Sequence, residues 1–188
     1  MFVSSKGNLL TEPEIMGLIG EILYLKGTLS SRIGLYNALK SWSGQELTHK
    51  DFSFDDTWVE VKTVKSGGQT VKISSLEQLD SDFEGELAVY ALEKMSMAYN
   101  GITLNKLVIQ VRDMFASPEE KDQFMANVAL QGYEYHNVYD EYVYEISGYR
   151  RYRVAEGFPR LTVKDVSPAI KKASYEISLT DLSGFEII

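Results

Sequence analysis

Asp51, Glu60 and Lys62 lie close together in the stretch Asp51-Phe52-Ser53-Phe54-Asp55-Asp56-Thr57-Trp58-Val59-Glu60-Val61-Lys62. Two carboxylates and an ammonium at this spacing could hold one divalent cation and act on a phosphate ester. Breaking a phosphodiester requires a water made nucleophilic, compensation of charge on the phosphate and help for the departing oxygen; carboxylate-held magnesium supplies most of this. Asp51 and Glu60 are the candidate ligands. The backbone carbonyl of Val61 is a candidate third oxygen, because it adjoins Glu60 and magnesium accepts such donors. Lys62 could orient the attacking water and offset developing negative charge.

These residues can meet only if the stretch is a β-hairpin. Phe52/Phe54 and Thr57/Val59/Val61 alternate on either side of Asp55-Asp56, so a two-residue turn there sets Asp51 opposite Glu60. With period two, Phe52, Phe54, Val59 and Val61 face one way, and Asp51, Ser53, Trp58, Glu60 and Lys62 the other. Cross-strand Cβ atoms then lie roughly 5 Å apart, close enough to share a cation. Asp55 and Asp56 are the rival carboxylates, and turn chemistry accounts for them.

A helix should precede the hairpin. Thr11-Glu12-Pro13-Glu14 has the form of a capping box with proline in the first turn, and Ile15, Leu18, Ile19, Ile22 and Leu23 follow at helical spacing. The expected span is about 12–26, with Gly27 as the stop. Glu21, at the border of the apolar stripe, could face the sheet and join the acidic cluster, whereas Glu14 is engaged in capping. A second helical stretch near 31–42 should lead through Gly44 into the hairpin.

After Lys65, Ser66-Gly67-Gly68-Gln69 reads as a turn, 71–74 as a third core strand and 86–94 as a central strand. Leu104, Leu107, Val108 and Val111 mark one helix, and Ser117-Pro118-Glu119-Glu120 caps another carrying Phe124, Met125 and Val128. From Tyr139 the pattern turns β, with a late hairpin around Gly148 and a last strand at Tyr175/Ile177/Leu179. The expected class is α/β (α+β): a central mixed β-sheet flanked by helices. One domain over 1–188 follows, with 139–188 as its C-terminal extension.

Composition narrows the chemistry. The 188 residues contain no cysteine and two histidines, His49 and His136, so any metal should be oxygen-bound, which favours magnesium or manganese. No apolar run reaches the ~18 residues of a membrane span and the start lacks a secretory h-region, so a cytoplasmic protein with no membrane partner is expected. The net charge of −8 is awkward for a nucleic-acid enzyme. Between Gly148 and Lys172, however, seven basic residues (Arg150, Arg151, Arg153, Arg160, Lys164, Lys171, Lys172) face two acidic ones, a local excess of five that suggests a basic face.

Asp51, then eight residues, then Glu60-Val61-Lys62, preceded by a helix carrying Glu21, resembles the PD-(D/E)XK nuclease superfamily. Further matches are Gly20-Glu21-Ile22-Leu23, Trp42-Ser43-Gly44, Lys50-Asp51-Phe52, Val59-Glu60-Val61-Lys62-Thr63, Ile73-Ser74-Ser75 with Gln78-Leu79, and Phe158-Pro159-Arg160-Leu161. Together, over residues 9 to 185, they are similar to a PD-(D/E)XK family found beside bacterial phage-defence and restriction genes. The resemblance implies a restriction-endonuclease-like fold. It also implies a metal held by Asp51 and Glu60, a catalytic Lys62, an assisting Glu21, and substrate contacts from Gln78 and Ser74. Arg160 is either a phosphate contact or a structural pin. Lys50 stands where the superfamily name has proline, and relatives carry an extra N-terminal region, which leaves open a fragment or a short member.

The expected function is therefore magnesium-dependent DNA cleavage in restriction or defence, with DNA, other defence subunits and a second copy of the chain as partners. The alternative is a non-catalytic nuclease-like module that binds DNA or protein, which the acidic charge favours; RNA or a nucleotide would use the same site. Trp58 should cover the sheet, His49 should be a surface imidazole, and the tyrosines of 133–152 should serve packing ahead of base stacking.

Overall fold

The computed structural model describes residues 9–42 and 49–188. Ser43 and Gly44, which complete the Trp42 motif and the expected lead into the hairpin, lie outside the described residues. Helix α1 (Glu12–Tyr24) starts on the expected capping box, the Glu14 carboxylate accepting the Thr11 N–H at 2.7 Å. Its apolar stripe is fully covered, and burial of each Ile or Leu there contributes about 1.5–3 kcal/mol. The expected stop at Gly27 is not taken. A π-helical turn, Leu25–Leu29, carries the chain into α2 (Ser30–Ile33), and the break falls at Gly34, whose φ of 84° only glycine adopts readily. Helix α3 (Leu35–Ser41) then brings the chain to Trp42, so the expected second helix is two short ones.

Strands β1 (Phe52–Phe54), β2 (Thr57–Lys65), β4 (Gly85–Met95) and β5 (Val143–Val154) form one mixed sheet in the order β1-β2-β4-β5. β1 and β5 are antiparallel to their neighbours, whereas β2 and β4 run parallel. β4 is buried without a break from Gly85 to Tyr90, as a central strand covered on both faces must be. Helices α4 (Leu104–Met114) and α5 (Pro118–Leu130) follow it, and α5 opens on the expected Ser117/Glu120 capping box.

Two expectations for the strands fail. The third strand, β3 (Thr70–Ile73), leaves the main sheet and pairs only with β6 (Tyr175–Ser178), forming a separate two-stranded ribbon. There is also no late hairpin at Gly148. β5 is one twelve-residue strand, with a bulge at Ser147 where the register passes from Ala91↔Gly148 to Leu92↔Ile146. Tyr139 sits in a 3₁₀ turn before it.

The result has three layers. One sheet face carries Phe52, Val59, Val61, Ala88 and Tyr90 and packs against α1, α4 and α5. The other carries Trp58, Leu87, Val89, Tyr152 and Val154 and is covered by Val71 and Ile73 of β3, Ile177 of β6, and Leu182. Two glycines set the close approaches. A Cβ at Gly85 would lie 2.1 Å from the Trp58 ring, and one at Gly20 would lie 2.5 Å from the Thr63 methyl. Gly20 therefore lets α1 press onto β2 at the residue before Glu21. Among the described residues no helix is long and apolar enough to cross a membrane.

Candidate active site

The hairpin register is Phe52↔Val59, Ser53↔Trp58, Phe54↔Thr57, turning at Asp55 and Asp56. Both are exposed, and Asp55 takes the left-handed φ of 49° that aspartate tolerates in turns. Continued by one step, the register sets Asp51 across from Glu60. Backbone pairing stops there, and the Asp51 carboxylate takes over from the ladder by accepting the Val61 N–H at 2.7 Å. An amide that would otherwise lack a partner is thereby satisfied, and Asp51 is fixed against the Glu60-Val61 backbone.

Glu60 is 1% exposed. One of its oxygens, Oε1, meets Lys62 Nζ at 2.7 Å, while Oε2 has no hydrogen-bond partner among the described residues. Glu21 approaches from α1, and its Oε2 accepts the Trp42 indole N–H at 2.7 Å. Trp42 closes α3, lies between the rings of Phe52 and Phe124, and makes a backbone bridge to Phe52. One tryptophan thus ties the helix acid to Phe52, the residue that follows Asp51.

Three acids in one low-dielectric corner resist ionisation together. Burial, then the Asp51 charge, pushes Glu60 up to about 8. Burial and Asp51 hold Glu21 well above the ordinary carboxylate range. Asp51 is also raised by burial, against the pull of Lys62, the Val61 N–H and Lys50. A divalent cation would relieve all three. The donor set fits a hard cation bound by carboxylate oxygen, since Glu60 Oε2 is buried without a donor. It is not a closed cage: among the described residues, no three His, Cys, Asp or Glu side chains are arranged to hold a metal ion. Lys62, Trp42 and the Val61 amide each occupy one oxygen of a carboxylate.

Lys50, readable from sequence only as a departure from the motif, turns out to be buried. Its ammonium donates to the carbonyls of Glu77 (2.5 Å), Gln78 (2.8 Å) and Asp80 (2.8 Å) and lies 4.1 Å from the Trp58 ring centroid. Burial lowers it to about 8. Arg160 Nη1 donates to the Leu79 carbonyl in the same loop, and the Gln78 Oε1 accepts the Ser74 N–H at 2.7 Å. Gln78 and Arg160 are therefore occupied in shaping loop 74–80, beside the ribbon and not beyond a third core strand. Trp58 is buried, with its indole N–H on the Phe83 carbonyl, so it covers the sheet; His49 is exposed. Of the tyrosines, Tyr133, Tyr139, Tyr144 and Tyr152 are core residues.

Three arginines of the expected basic face have acidic partners. Arg150 meets Glu186 (4.0 Å), Arg151 meets Glu86 (3.5 Å) and Arg153 meets Glu84 (3.8 Å).

The family described as "Putative PD-(D/E)XK family member, (DUF4420)" matches residues 1–180. The chain belongs to this family. No curated protein matches it, and no solved structure does. The mixed sheet with its flanking helices is the α/β arrangement of a restriction-endonuclease-like fold.

Proposed function

We propose that this PD-(D/E)XK protein hydrolyses DNA phosphodiester bonds with magnesium or manganese, in restriction or defence against foreign DNA. The observation that carries this reading is Glu60. A buried carboxylate with one oxygen on Lys62, the other without a donor, and Asp51 across the strand pair has little structural rationale and a clear one as a cation ligand. Asp51 and Glu60 would hold the metal, with the Val61 carbonyl as a further oxygen and Glu21 assisting. When bound, the metal offsets phosphate charge and makes water a better nucleophile.

The protein's own residues do the rest. Lys62, fixed by Glu60, orients the attacking water and places positive charge where negative charge develops. Trp42 keeps Glu21 aimed at the corner. Loop 74–80, pinned by Lys50 and Arg160, presents the Ser74 hydroxyl to the substrate, and Gln78 supports the loop from within. Other defence subunits and a second copy for two-strand cleavage are the partners this chemistry would use.

A second reading is a nuclease-like module that binds without cleaving. It is favoured by the net charge of −8 and by the protein donors that already occupy one oxygen of each acid. Plasmid nicking separates the two. Wild type should nick in magnesium or manganese and not in chelator, and Glu60→Ala and Lys62→Ala should each lose on the order of 100-fold or more. A wild type that never nicks would leave only the binding module.

A further inference from the structure

The seven basic residues between Gly148 and Lys172 fall into two groups. Arg150, Arg151 and Arg153 are held by glutamates, and Arg160 sits on the Leu79 carbonyl. Lys164, Lys171 and Lys172 are different: Lys164 is exposed on a 3₁₀ turn outside the ribbon strands, and Lys171 and Lys172 stand side by side next to β6. Both are exposed, and neither has an ion pair among the described residues, although Lys171 Nζ donates to the Pro168 carbonyl at 3.0 Å.

The fold gives these two lysines a defined place. β3 and β6 pair through Ile73↔Tyr175, and past that pair the two chains splay apart. Lys171 to Ser174 forms one wall of the resulting open groove, Ser74 to Glu77 forms the other, and His49 lies at the groove's margin. His49 is two residues before Asp51, so one lining residue of the groove belongs to the segment that leads into the candidate active site. Its loop wall is fixed on three sides: Lys50 holds the Glu77 and Gln78 carbonyls, Arg160 holds that of Leu79, and Gln78 holds the Ser74 amide. Glu77, the acid in the groove, is engaged by the Ser75 hydroxyl.

We infer that this groove carries the sugar-phosphate backbone of the DNA strand leading to the Asp51/Glu60/Lys62 corner. The inference rests on the DNA-hydrolase reading and names its substrate path. Two ammoniums, serine hydroxyls and an imidazole along one channel match a line of phosphates, and a chain with a net charge of −8 needs such a local route to approach a polyanion. The arginine row of β5, closer to expectation from sequence, is the wrong surface because its charge is already matched.

Matched double neutralisations test this on the full chain. Binding of a short labelled DNA duplex is measured in chelator, so that no cleavage occurs, across a salt series. K171Q/K172Q should weaken binding on the order of tenfold and lower the salt slope by about 2, whereas R150Q/R153Q should stay within about twofold. Both variants should keep the thermal midpoint of wild type, since all four side chains are exposed. Unchanged binding in K171Q/K172Q, equal losses in the two variants, no DNA binding by wild type, or lysine-dependent binding confined to RNA would each overturn the groove assignment. Lysine-dependent DNA binding by a wild type that never nicks would support the groove and remove the hydrolase reading alone. Nicking by a wild type whose DNA binding ignores the lysines would do the reverse.

Discussion

Two buried glutamates on adjacent strands of one sheet have opposite surroundings. Glu86, on β4, accepts the Tyr24 hydroxyl at 2.9 Å on one oxygen and faces Arg32 (3.4 Å) and Arg151 (3.5 Å) on the other. Glu60, on β2, has one lysine, one oxygen without a donor among the described residues, and two further acids, Asp51 and Glu21, beside it. A buried charge is tolerated when its partners are complete and costly when they are not. The Glu86 cluster is complete within the protein, clamping α1, α2 and β5 onto β4. The Glu60 corner is complete only with something added.

Glutamine substitution should separate the two most sharply. Glu86→Gln leaves two arginines without their carboxylate and should lower stability by about 1–3 kcal/mol. Glu60→Gln removes a charge that the metal-free corner resists, and should raise stability at pH 8 by a similar amount while abolishing stabilisation by magnesium. Chemical denaturation with and without magnesium measures both. Equal destabilisation by the two variants would mean that Glu60 is a structural charge like Glu86.

The same asymmetry has a pH signature. Glu60, raised from 4.5 to about 8, binds its proton more tightly in the folded state than in the unfolded chain. Its contribution to stability is therefore fully present below pH 4.5 and is lost as pH rises through about 8. Asp51 and Glu21, also raised, act in the same direction. Lys50, lowered to about 8, opposes this only above that pH, where its unfolded counterpart is still charged. Metal-free protein should lose thermal stability between pH 5 and 8, and magnesium should flatten the slope. A slope unchanged by Glu60→Gln would assign it elsewhere.

Legibility in the sequence followed the range of the interactions. Asp51, Glu60 and Lys62 could be set on one face because hairpin register depends on a local turn and a period of two. The capping boxes of α1 and α5 were equally local. β3 was misplaced because its partner β6 lies about a hundred residues on, and four residues do not reveal which sheet they join. Gly148 reads as punctuation, yet it sits inside a strand where a Cβ would meet Ala91 at 3.5 Å, and the irregularity falls at Ser147 instead. Lys50 reads only as a departure from the motif; its burial depends on carbonyls 27 to 30 residues away. Trp42 was visible within a motif, but its indole partner on α1 was not.

Less direct effects should come from the two residues that aim Glu21 without touching substrate. Gly20→Ala puts a methyl against Thr63 and should cost about 1–3 kcal/mol by forcing α1 off β2, with weaker magnesium binding. Trp42→Phe keeps an aromatic ring between Phe52 and Phe124 and removes only the N–H donated to Glu21. One hydrogen bond to a carboxylate corresponds to about 1–3 kcal/mol, so the half-saturating magnesium concentration should shift by roughly tenfold, in either direction, with the fold retained. In a Trp58→Phe background the remaining indole reports directly, because its N–H sits on one of the acids a cation would engage. Its fluorescence should change on adding magnesium, and Glu21→Gln should remove most of that change. A Trp42 signal indifferent to magnesium, together with unaltered affinity in Trp42→Phe, would place Glu21 with Glu86 among the structural carboxylates and leave Asp51 and Glu60 alone at the corner.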